Sequence, residues 1–569
     1  MPPAGRSTPG ARAGGGSPRV QAFGESAFLV DVADLTAVRA LHARLVRDAP
    51  VGVADLVPAA RTVLVHADGP RAARGVAAWL DDVVHDLDTR TGGATGVLVE
   101  IPVVYDGADL PDVAAWAGAS VEEVVARHVG RTYDAAFSGF LPGFAYLAGV
   151  DPRIAVPRRA TPRTRVPAGS VALAGELTAV YPRASPGGWS LLGTTDRTMF
   201  DAGRDRPALV RPGDRVRFVR DVRPVAHGQV TPAAARPDAR TAARVAGSAA
   251  TWGDDGSVGV VERSPEPPEP PKPPGRALEV VSAGPLTLVQ DRGRAGRGAI
   301  GVGRSGAADR ASHDLANRLL ANPPGVATVE VVLGGLALLA HHDTTLVLTG
   351  ALVTASIDAV PVGMNAPFRL PAGATLRLGS PARGLRTYVG VRGGVDARSV
   401  LGSRSTDTLS GLGPAGLAAG DRLPVGPRPP GFPSVDVAPV PPVLDRTGTR
   451  PGTVTLEILP GPRAEWFPPA TLRTLGGAVR TVSPDSDRVA LRLLGPTIAR
   501  RPGDLPSEGL VRGAVQVPPD GVPVVFLADH PVTGGYPVLG VLREADADRA
   551  AQLRPGDAVR LRTVPRTTG

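Results

Sequence analysis

Two short blocks of sequence occur twice in the chain, in the same order, and they constrain its fold more than any other feature. Residues 186–193 read PGGWSLLG and residues 533–540 read TGGYPVLG, while residues 211–218 read RPGDRVRF and residues 554–561 read RPGDAVRL. Repetition of matched blocks indicates two copies of one structural unit. The RPGD block is also an ordinary turn into a strand, and we interpret it as structural. The repeat predicts two related β-barrels, one closing each half of the chain.

The run from Phe137 to Trp189 is rich in glycine, proline and aromatic residues. It reads FSGFLPGFAYL, then PRRATPRTRVPAGSVALAGE, then VYPRASPGGW. Glycine lets a ligand or another backbone approach closely, and proline fixes turns. The pattern therefore predicts rigid loops around a cavity. Because the run ends in the first copy of the repeat, we expect the active site at its junction with the second half.

Periodicity and proline content divide the 569 residues into several units. A chain of this length is expected to form two to four domains. Strand and helix patterns alternate in the first part, which predicts a small α/β domain, and short strands broken by Gly and Pro dominate the rest. The predicted units are a disordered tail over 1–19, a small α/β domain over 20–95, a β-barrel over 96–220, a Pro-rich linker over 221–275, a first β subdomain over 276–427 and a second β-barrel over 444–566, with a Pro-rich break over 428–443.

The use of cysteine and lysine excludes several classes of chemistry. The chain has no cysteine, so disulfides and thiolate catalysis are excluded. Among its 63 basic residues the one lysine is Lys272, in EPPEPPKPPG. A Walker A loop requires Gly-Lys-Ser/Thr, and a biotin carrier or a Schiff-base enzyme requires a reactive lysine. The chain is therefore expected to carry no covalent biotin of its own.

Charge and hydropathy give no indication of a nucleic-acid or membrane partner. The net charge is +9, but the arginines are spread among acidic residues instead of forming a dense patch. Apolar runs are too short to span a bilayer, and the N-terminus does not resemble a signal peptide. These features predict a cytoplasmic protein that binds neither nucleic acid nor membrane.

His128 is the first candidate catalytic residue. It shares one helical face with Val121, Val124 and Val125, a pattern typical of a packed core histidine. The functional alternative is that it reaches the cavity beneath the FSGFLPGFAYL loop as an acid, a base or a phosphate partner. Both interpretations stay open at this point.

Loop residues of the same run are candidates for binding an anion. Arg158 and Arg163 lie beside prolines, where a guanidinium has little packing role and suits a carboxylate or phosphate. Ser170 offers a hydroxyl close to backbone N–H groups. We do not expect a serine nucleophile, because no G-x-S-x-G elbow accompanies it.

Both halves resemble known families. The helix that carries His128, with the following GFLPGFAYL, is similar to allophanate hydrolase subunit 1, the family of the B subunit of bacterial 5-oxoprolinase. The second half resembles allophanate hydrolase subunit 2, the family of the C subunit, in the runs TLVQDRGRAGRGAIGVGRSGAADRASHDLANRLLAN, YVGVRGGVDARSVLGSRSTD, VSPDSDRVALRL, PSEGLVRGAVQVPPDGVPVVFLADHPVTGGYP and QLRPGDAVRL. The resemblance covers roughly residues 20–220 and 278–562. The expected fold class is mainly β with α/β, with cyclophilin-like β-barrel domains in both halves.

Turn residues within the second-half runs supply further candidates. Asp309, Asp487 and Asp529 could converge to hold Mg²⁺ or activate water, with Arg488 neutralising a developing negative charge. The alternative is that such turn carboxylates cap the backbone.

The candidates for binding substrate or nucleotide are Arg158, Arg163, Ser170, Gly187, Gly188, Glu508, Gln516, Gly534, Gly535 and Tyr536. Where relatives tend to read SDRMG and QTTGGYPK, this chain reads SDRVA and PVTGGYPV, so a side-chain amide, a hydroxyl and an ammonium are absent.

The resemblance implies a fused B–C component of an ATP-dependent 5-oxoprolinase, which opens the lactam of 5-oxoproline to L-glutamate. It implies ATP and Mg²⁺, a separate LamB/YcsF-type A subunit and a small-molecule substrate, and we also consider a homo-oligomer. One alternative is a biotin-dependent carboxyltransferase like that of urea carboxylase, which shares both signatures. Another is a regulatory binding module like the Kip kinase inhibitors, which share the first-half signature.

Overall fold

The computed structural model describes residues 17–87, 96–221, 276–439, 452–503 and 505–566, together with the backbone of 250–252 and 258–260. Residues 1–16 of the predicted tail lie outside these ranges, as do most of the predicted linker, including Lys272, and residues 440–443 of the Pro-rich break. None of the helices in the described ranges combines the length and apolarity that crossing a membrane requires.

The first described unit is a small α/β domain. Its elements are β1 (Arg19–Ala22), β2 (Ala27–Asp31), α1 (Leu35–Asp48), β3 (Val53–Pro58), β4 (Thr62–Ala67) and α2 (Pro70–His85). The strands form an antiparallel sheet in the order β1-β2-β4-β3. Val38, Leu41 and Leu45 of α1 are buried against it, as their spacing predicts. The alternating strand and helix patterns of the sequence do not indicate β3, because its Asp55 and Pro58 are residue types depleted from strands.

The next unit is a β-barrel. Its elements are β5 (Leu98–Val103), α3 (Leu110–Ala117), α4 (Val121–Val129), β6 (Thr132–Ser138), β7 (Ala145–Ala148), β8 (Arg163–Val166), β9 (Ser170–Ala174), β10 (Leu177–Val180), β11 (Ser185–Gly187), β12 (Ser190–Thr194) and β13 (Arg215–Arg220). Seven strands form a sheet in the order β12-β9-β10-β7-β6-β13-β5, and β8 pairs with β11. Val104 and Thr194 exchange backbone hydrogen bonds of 2.9 and 2.8 Å where the two edges of the sheet meet. These bonds close the barrel.

The first part of the second half is a two-sheet sandwich. Two short strands precede it, β14 (Ala250–Trp252) and β15 (Val258–Val260), and pair with each other. The sandwich contains β16 (Ala277–Ala283), β17 (Leu286–Gln290), α5 (Arg310–Leu319), β18 (Thr328–Val332), β19 (Leu336–Ala340), β20 (Thr344–Leu352), β21 (Ala355–Ile357), β22 (Val360–Val362), β23 (Phe368–Leu370), β24 (Thr375–Leu378), β25 (Arg383–Val391) and β26 (Arg422–Pro424), with a 3₁₀ helix at Gly298–Ile300. The sheets run β22-β21-β24-β19-β16-β26 and β17-β18-β25-β20-β23. They share one apolar core, and α5 packs on β20 and β25.

The last unit is a closed barrel. Its elements are β27 (Val454–Pro460), α6 (Thr471–Thr474), β28 (Val479–Val482), β29 (Ala490–Leu494), β30 (Glu508–Gly509), β31 (Ala514–Gln516), β32 (Val524–Phe526), β33 (Thr533–Gly534), β34 (Val538–Leu542), α7 (Glu544–Ala550) and β35 (Ala558–Thr563), with 3₁₀ helices at Ala464–Trp466 and Leu475–Gly477. The strands close in the order β27-β34-β31-β32-β29-β28-β35, and β30 pairs with β33.

The two barrels have the same topology. Written from the first strand, the order is β5-β13-β6-β7-β10-β9-β12 in one and β27-β35-β28-β29-β32-β31-β34 in the other. In each barrel the last strand pairs in parallel with the first, as β5 with β13 and β27 with β35. The hairpin pairs β8–β11 and β30–β33 also correspond. The two related β-barrels predicted from the repeat, and the mainly β fold class with α/β, are confirmed.

Candidate functional site

Arg488 lies at the centre of a buried ion-pair network between the sandwich and the second barrel. Its guanidinium, 2% exposed, donates to Asp529 through Nε at 2.9 Å and Nη2 at 3.2 Å. It also donates to Glu330 on β18 and, at 2.7 Å, to the carbonyl of Gly306. Glu330 in turn accepts from the Tyr388 hydroxyl at 2.7 Å. The fork geometry of arginine suits such a bidentate pair.

Asp529 is fully occupied within this network. It accepts from the Ser305 hydroxyl at 2.6 Å, and from the backbone N–H and hydroxyl of Thr408 at 2.9 and 2.7 Å. Burial alone raises the pKa of Asp529, but Arg488 and the hydroxyl donors lower it below its usual value. Asp529 is therefore a paired anion, and its contacts join two parts of the second half.

Asp309 and Asp487, the other predicted catalytic carboxylates, cap the backbone. Asp309 caps α5 by accepting from the N–H of Ser312 at 3.0 Å, and it also accepts from Gln552 Nε2 at 2.7 Å. Asp487 accepts from the N–H groups of Val489 and Ala490 at 2.7 and 3.1 Å. Burial raises the pKa of each carboxyl to about 6. The two share no hydrogen-bond partner, and across the described ranges no three His, Asp or Glu side chains form a group suited to a metal ion.

A cavity of about 310 Å³ lies where the small α/β domain, the loop after β17 and the second barrel meet. The α/β domain contributes Asp55 and His66, the loop contributes Arg304, the start of α5 contributes Arg310, and the barrel contributes His530. The two runs that carry Asp309 and Asp529 therefore meet at this cavity. Asp529 belongs to the buried network and Asp309 caps α5, whereas the residue after each, His530 and Arg310, lines the cavity. We call this space the junction cavity.

Two arginines of the junction cavity have no carboxylate partner among the described residues. Arg304 donates through Nε to the carbonyl of Arg292 at 3.2 Å, and the buried Nε of Arg310 meets no acceptor. Burial, together with the nearby Arg512 and Arg304, lowers the pKa of Arg310 to about 9. A desolvated cation without a partner is costly, so this wall of the cavity is suited to an anion.

The two cavity histidines are neutral at pH 7. Burial lowers the pKa of His66 to about 3 and that of His530 to about 4. The ring Nδ1 of His530 lies 2.8 Å from the carbonyl of Pro531, so Nδ1 carries the proton and Nε2 is an acceptor.

Carboxylates also line the cavity. Asp55 accepts from the N–H of Gly298 at 3.2 and 3.1 Å, and burial raises its pKa to about 6. Glu25 accepts from the N–H of Glu544 at 2.7 Å, and Glu544 accepts from the Ser26 hydroxyl at 2.6 Å. The cavity thus presents arginines from the second half and acceptors chiefly from the small α/β domain.

In the first barrel, His128 is a core residue. Its Nδ1 lies 2.7 Å from the Tyr105 hydroxyl and its Nε2 lies 3.1 Å from the Thr178 hydroxyl. Its ring stacks on Phe218 with centroids 4.6 Å apart, and burial lowers its pKa to about 3. Both nitrogens have partners, and His128 does not line the junction cavity. This geometry favours the packed-core interpretation.

Among the predicted anion-binding residues of the first barrel, Arg163 pairs with Asp109. Arg163 donates to its two carboxylate oxygens at 2.9 and 2.7 Å, and Arg159 donates at 2.6 Å. Gly187 lies opposite Arg163 in the β8–β11 pair, and the Gly188 carbonyl accepts from the N–H of Arg159 at 2.8 Å. Ser170 is buried at the start of β9, whereas Arg158 is exposed.

Among the corresponding residues of the second barrel, Glu508 pairs with Arg463. This side chain donates through Nε to Glu508 at 2.8 and 3.0 Å and also pairs with Asp31 of the small α/β domain. Glu508 lies opposite Gly534 in the β30–β33 pair. Gln516 donates to the Tyr536 carbonyl at 2.8 Å, and Gly535 precedes that tyrosine.

Sequence reasoning missed the residues that line the cavity. Arg304, Arg310 and His530 lie inside the runs that resemble the known family, but the sequence predicts catalytic roles for the adjacent Asp309 and Asp529 instead. Glu330 was also missed, although a lone carboxylate within the apolar strand sequence TVEVV is a signal of a buried partner.

Comparison with known families gives a match over both halves. Residues 18–210 match the model described as carboxyltransferase domain, subdomain C and D, and residues 300–563 match that described as carboxyltransferase domain, subdomain A and B. The chain is 53% identical over 124 residues to the B subunit of 5-oxoprolinase from Escherichia coli O157:H7, which covers 21% of this chain and 57% of that protein. The chain therefore spans little more than half the length of that relative.

Two further proteins are similar to about half of this chain. It is 35% identical over 288 residues to the C subunit of 5-oxoprolinase from Escherichia coli (strain K12), covering 50% of this chain and 89% of that protein. It is 30% identical over 309 residues to the urea amidolyase of Lachancea kluyveri, covering 50% of this chain but 17% of that protein. Among solved structures, TTHA0988 superposes with a TM-score of 0.77 at 35% identity, covering 94% of this chain and 99% of that one.

Proposed function

The chain belongs to the carboxyltransferase-domain family, and on that premise we propose that it is the fused B–C component of an ATP-dependent 5-oxoprolinase. The observation that carries the proposal is that one chain matches both the B and the C component of this enzyme, the latter over 89% of its length. The reaction would open the lactam of 5-oxoproline to L-glutamate together with a LamB/YcsF-type A subunit.

The chemistry of the reaction explains why ATP is required. A lactam is a poor electrophile, and phosphorylation of its oxygen makes attack by water at the carbonyl carbon feasible. Charge that develops in such a step is stabilised by oriented cations and N–H donors. The unpaired guanidinium groups of Arg304 and Arg310 are suited to that role. We propose ATP and Mg²⁺ for the assembled enzyme and assign neither of them to a site on this chain.

In this proposal, the predicted catalytic residues of the second half do not contact the ligand but hold the cavity-lining segments in position. Arg488 and Asp529 fix the segment that carries His530, and Asp309 fixes the start of the helix that carries Arg310. Their effect on turnover would then come through the positions of the cavity side chains.

A biotin-dependent carboxyltransferase is the second candidate function. The family descriptions and the 30% identity to a urea amidolyase favour it. Its substrate urea is neutral, however, whereas 5-oxoproline carries a carboxylate that matches the cationic wall of the junction cavity.

The test is a reconstitution. The purified chain is mixed with the LamB/YcsF-type A subunit from the same genome, ATP, Mg²⁺ and 5-oxoproline, and glutamate and ADP are quantified. We expect both products in equal amounts, and neither when any one component is omitted. Absence of both products, with carboxylation of urea by a carboxybiotin carrier, would establish the carboxyltransferase instead. Stoichiometric inhibition of a kinase without turnover would identify a Kip-like module.

A further inference from the structure

We propose that the junction cavity is a binding site for a small ligand that carries both a carboxylate and an N–H donor, with Arg304 and Arg310 holding the carboxylate. The site is inferred from the two guanidinium groups in the cavity that have no carboxylate partner among the described residues. Naming 5-oxoproline as the ligand rests on the proposed function. Neither the family descriptions nor the names of the relatives assign a ligand to these residues.

The first argument is the state of the two arginines. The neighbouring Arg512 donates to Asp548 at 2.6 Å, and Arg292 donates to Asp314 at 3.1 and 3.0 Å. Arg304 and Arg310 make no such pair with any described residue, and the Nε of Arg310 is buried without an acceptor. Arginines left unpaired beside paired ones, in one cavity, are typical of a site whose anion is a ligand.

The second argument is the difference between the two sides of the cavity. The α/β domain and the start of α7 contribute Glu25, Asp55 and Glu544, which accept from backbone N–H groups and one hydroxyl, and Glu25 also lies 3.7 Å from Arg543 Nε. Carboxylate oxygens have several lone pairs, so each can accept a further hydrogen bond. A ligand with one anionic end and one N–H group matches both sides, whereas a simple inorganic anion matches the arginine side alone.

The third argument is size. A cavity of about 310 Å³ is at the lower end of the range for ligand pockets. It suits a molecule with the dimensions of an amino-acid derivative. The neutral imidazoles of His66 and His530 add polar contacts without further positive charge. A cyclic amide with an α-carboxylate, such as 5-oxoproline, has these properties.

The experiment is isothermal titration of the full chain at pH 7.5 with four probes. They are 5-oxoproline, 2-pyrrolidinone, which lacks the carboxylate, the γ-lactone analogue of 5-oxoproline, in which an ester oxygen replaces the N–H, and inorganic phosphate. We expect 5-oxoproline to bind most tightly. Arg304→Gln and Arg310→Gln should each weaken it about 10- to 100-fold, the loss expected for a charge-assisted hydrogen bond. Arg318→Gln, on the exposed face of the same helix, is the matched control and should leave the affinity unchanged.

Several results would overturn the inference. They are no binding by the wild-type chain, unchanged affinity in both cavity variants with intact melting curves, and equal affinity for 2-pyrrolidinone. Tighter, arginine-dependent binding of phosphate would identify a phosphate site instead.

A steady-state assay separates this inference from the proposed function. Turnover of 5-oxoproline with an unchanged KM in Arg310→Gln would support the proposed function and contradict the proposed binding site. Binding of 5-oxoproline that depends on these arginines, without turnover in the reconstituted mixture, would support the binding site and contradict the proposed function.

Discussion

Asp109 of the first barrel and Arg463 of the second occupy equivalent positions and carry opposite charges. Each follows two residues after a glycine, Gly107 or Gly461, whose N–H donates to a leucine carbonyl in the equivalent strands β12 and β34, at 3.1 and 3.0 Å. A Cβ added to Gly107 or Gly461 would lie 2.3 or 2.5 Å from a carbonyl oxygen of that strand. This close approach fixes the position of the charged residue in both barrels.

The partners of these two residues are also equivalent. Asp109 pairs with Arg163, and Arg463 pairs with Glu508, and each partner lies opposite the first glycine of the repeated block. The duplicated barrels thus keep the same ion pair with its charges exchanged. The second copy also receives Asp31 from the α/β domain, so it serves as a contact between domains.

We predict that Arg463→Met destabilises the protein more than Asp109→Asn does. Arg463 is 9% exposed, and its loss would leave Glu508 and Asp31 unpaired, at a cost of about 3–5 kcal/mol in the free energy of unfolding. The arginine partners of Asp109 are 25–35% exposed, so its loss should cost about 1–2 kcal/mol. Urea unfolding at pH 7 measures both, with the exposed Arg473→Met as control. Equal losses would contradict a special role of the second pair.

Arg488→Met should be strongly destabilising and should change the acid sensitivity of the protein. Removal of the guanidinium leaves Asp529 buried without a cation and leaves Glu330 with one remaining cation, Arg386, whose Nε lies 3.4 Å from it, at a cost of about 3–5 kcal/mol. In the wild type, Arg488 outweighs burial and holds the pKa of both carboxyls below the usual value. The two ionised carboxylates therefore contribute fully to the free energy of unfolding when the pH is above the pKa that these groups have in the unfolded chain. This contribution is lost as the pH falls below about 4.

In Arg488→Met the sign of the contribution of Asp529 is reversed, because protonation of this unpaired carboxylate relieves the cost of its burial. The difference in stability between the variant and the wild type should shrink as the pH falls from 7 to 4. Urea midpoints at several pH values measure it, and a difference that is constant with pH would contradict the assigned network.

The repeated blocks predict the barrels because strand order follows from local signals. Turn glycines, the RPGD turn and alternating strands occur in the same order in both copies, so equal local patterns give equal topology. The spacing of Val38, Leu41 and Leu45 predicts their burial for the same reason.

The candidate site could not be predicted from the sequence as the barrels were, because its contacts join residues far apart in the chain. Arg463 meets Asp31 across 432 positions, and Arg488 meets Glu330 across 158. The sequence indicates that Asp309 and Asp529 lie in turns, but side-chain direction within a turn depends on packing from other domains. The cavity is therefore lined by the following residues, Arg310 and His530, and not by the two aspartates. No local sequence signal indicates which residue of each pair faces the cavity.

Asp487→Asn should keep both the fold and turnover. One oxygen, Oδ1, accepts both backbone N–H groups, and an asparagine oxygen can accept the same two bonds. Burial raises the pKa of Asp487 to about 6, so wild-type stability falls as the pH rises from about 4 to 6. The asparagine variant should lack this contribution, of about 3 kcal/mol, and be more stable than the wild type at pH 7. Loss of turnover with an intact melting curve would establish the catalytic role predicted from the sequence.

His128→Ala should lower the melting temperature of the first barrel. The substitution removes a buried ring that stacks on Phe218, and it leaves the hydroxyls of Tyr105 and Thr178 without their imidazole partner. We expect a loss of about 2–4 kcal/mol in the free energy of unfolding. The matched control is His85→Ala, at the exposed end of α2, which should change stability by less than about 0.5 kcal/mol. Turnover measured well below the lowered melting temperature should persist, since His128 does not line the junction cavity. An unchanged melting curve with abolished turnover would show instead that His128 acts in catalysis.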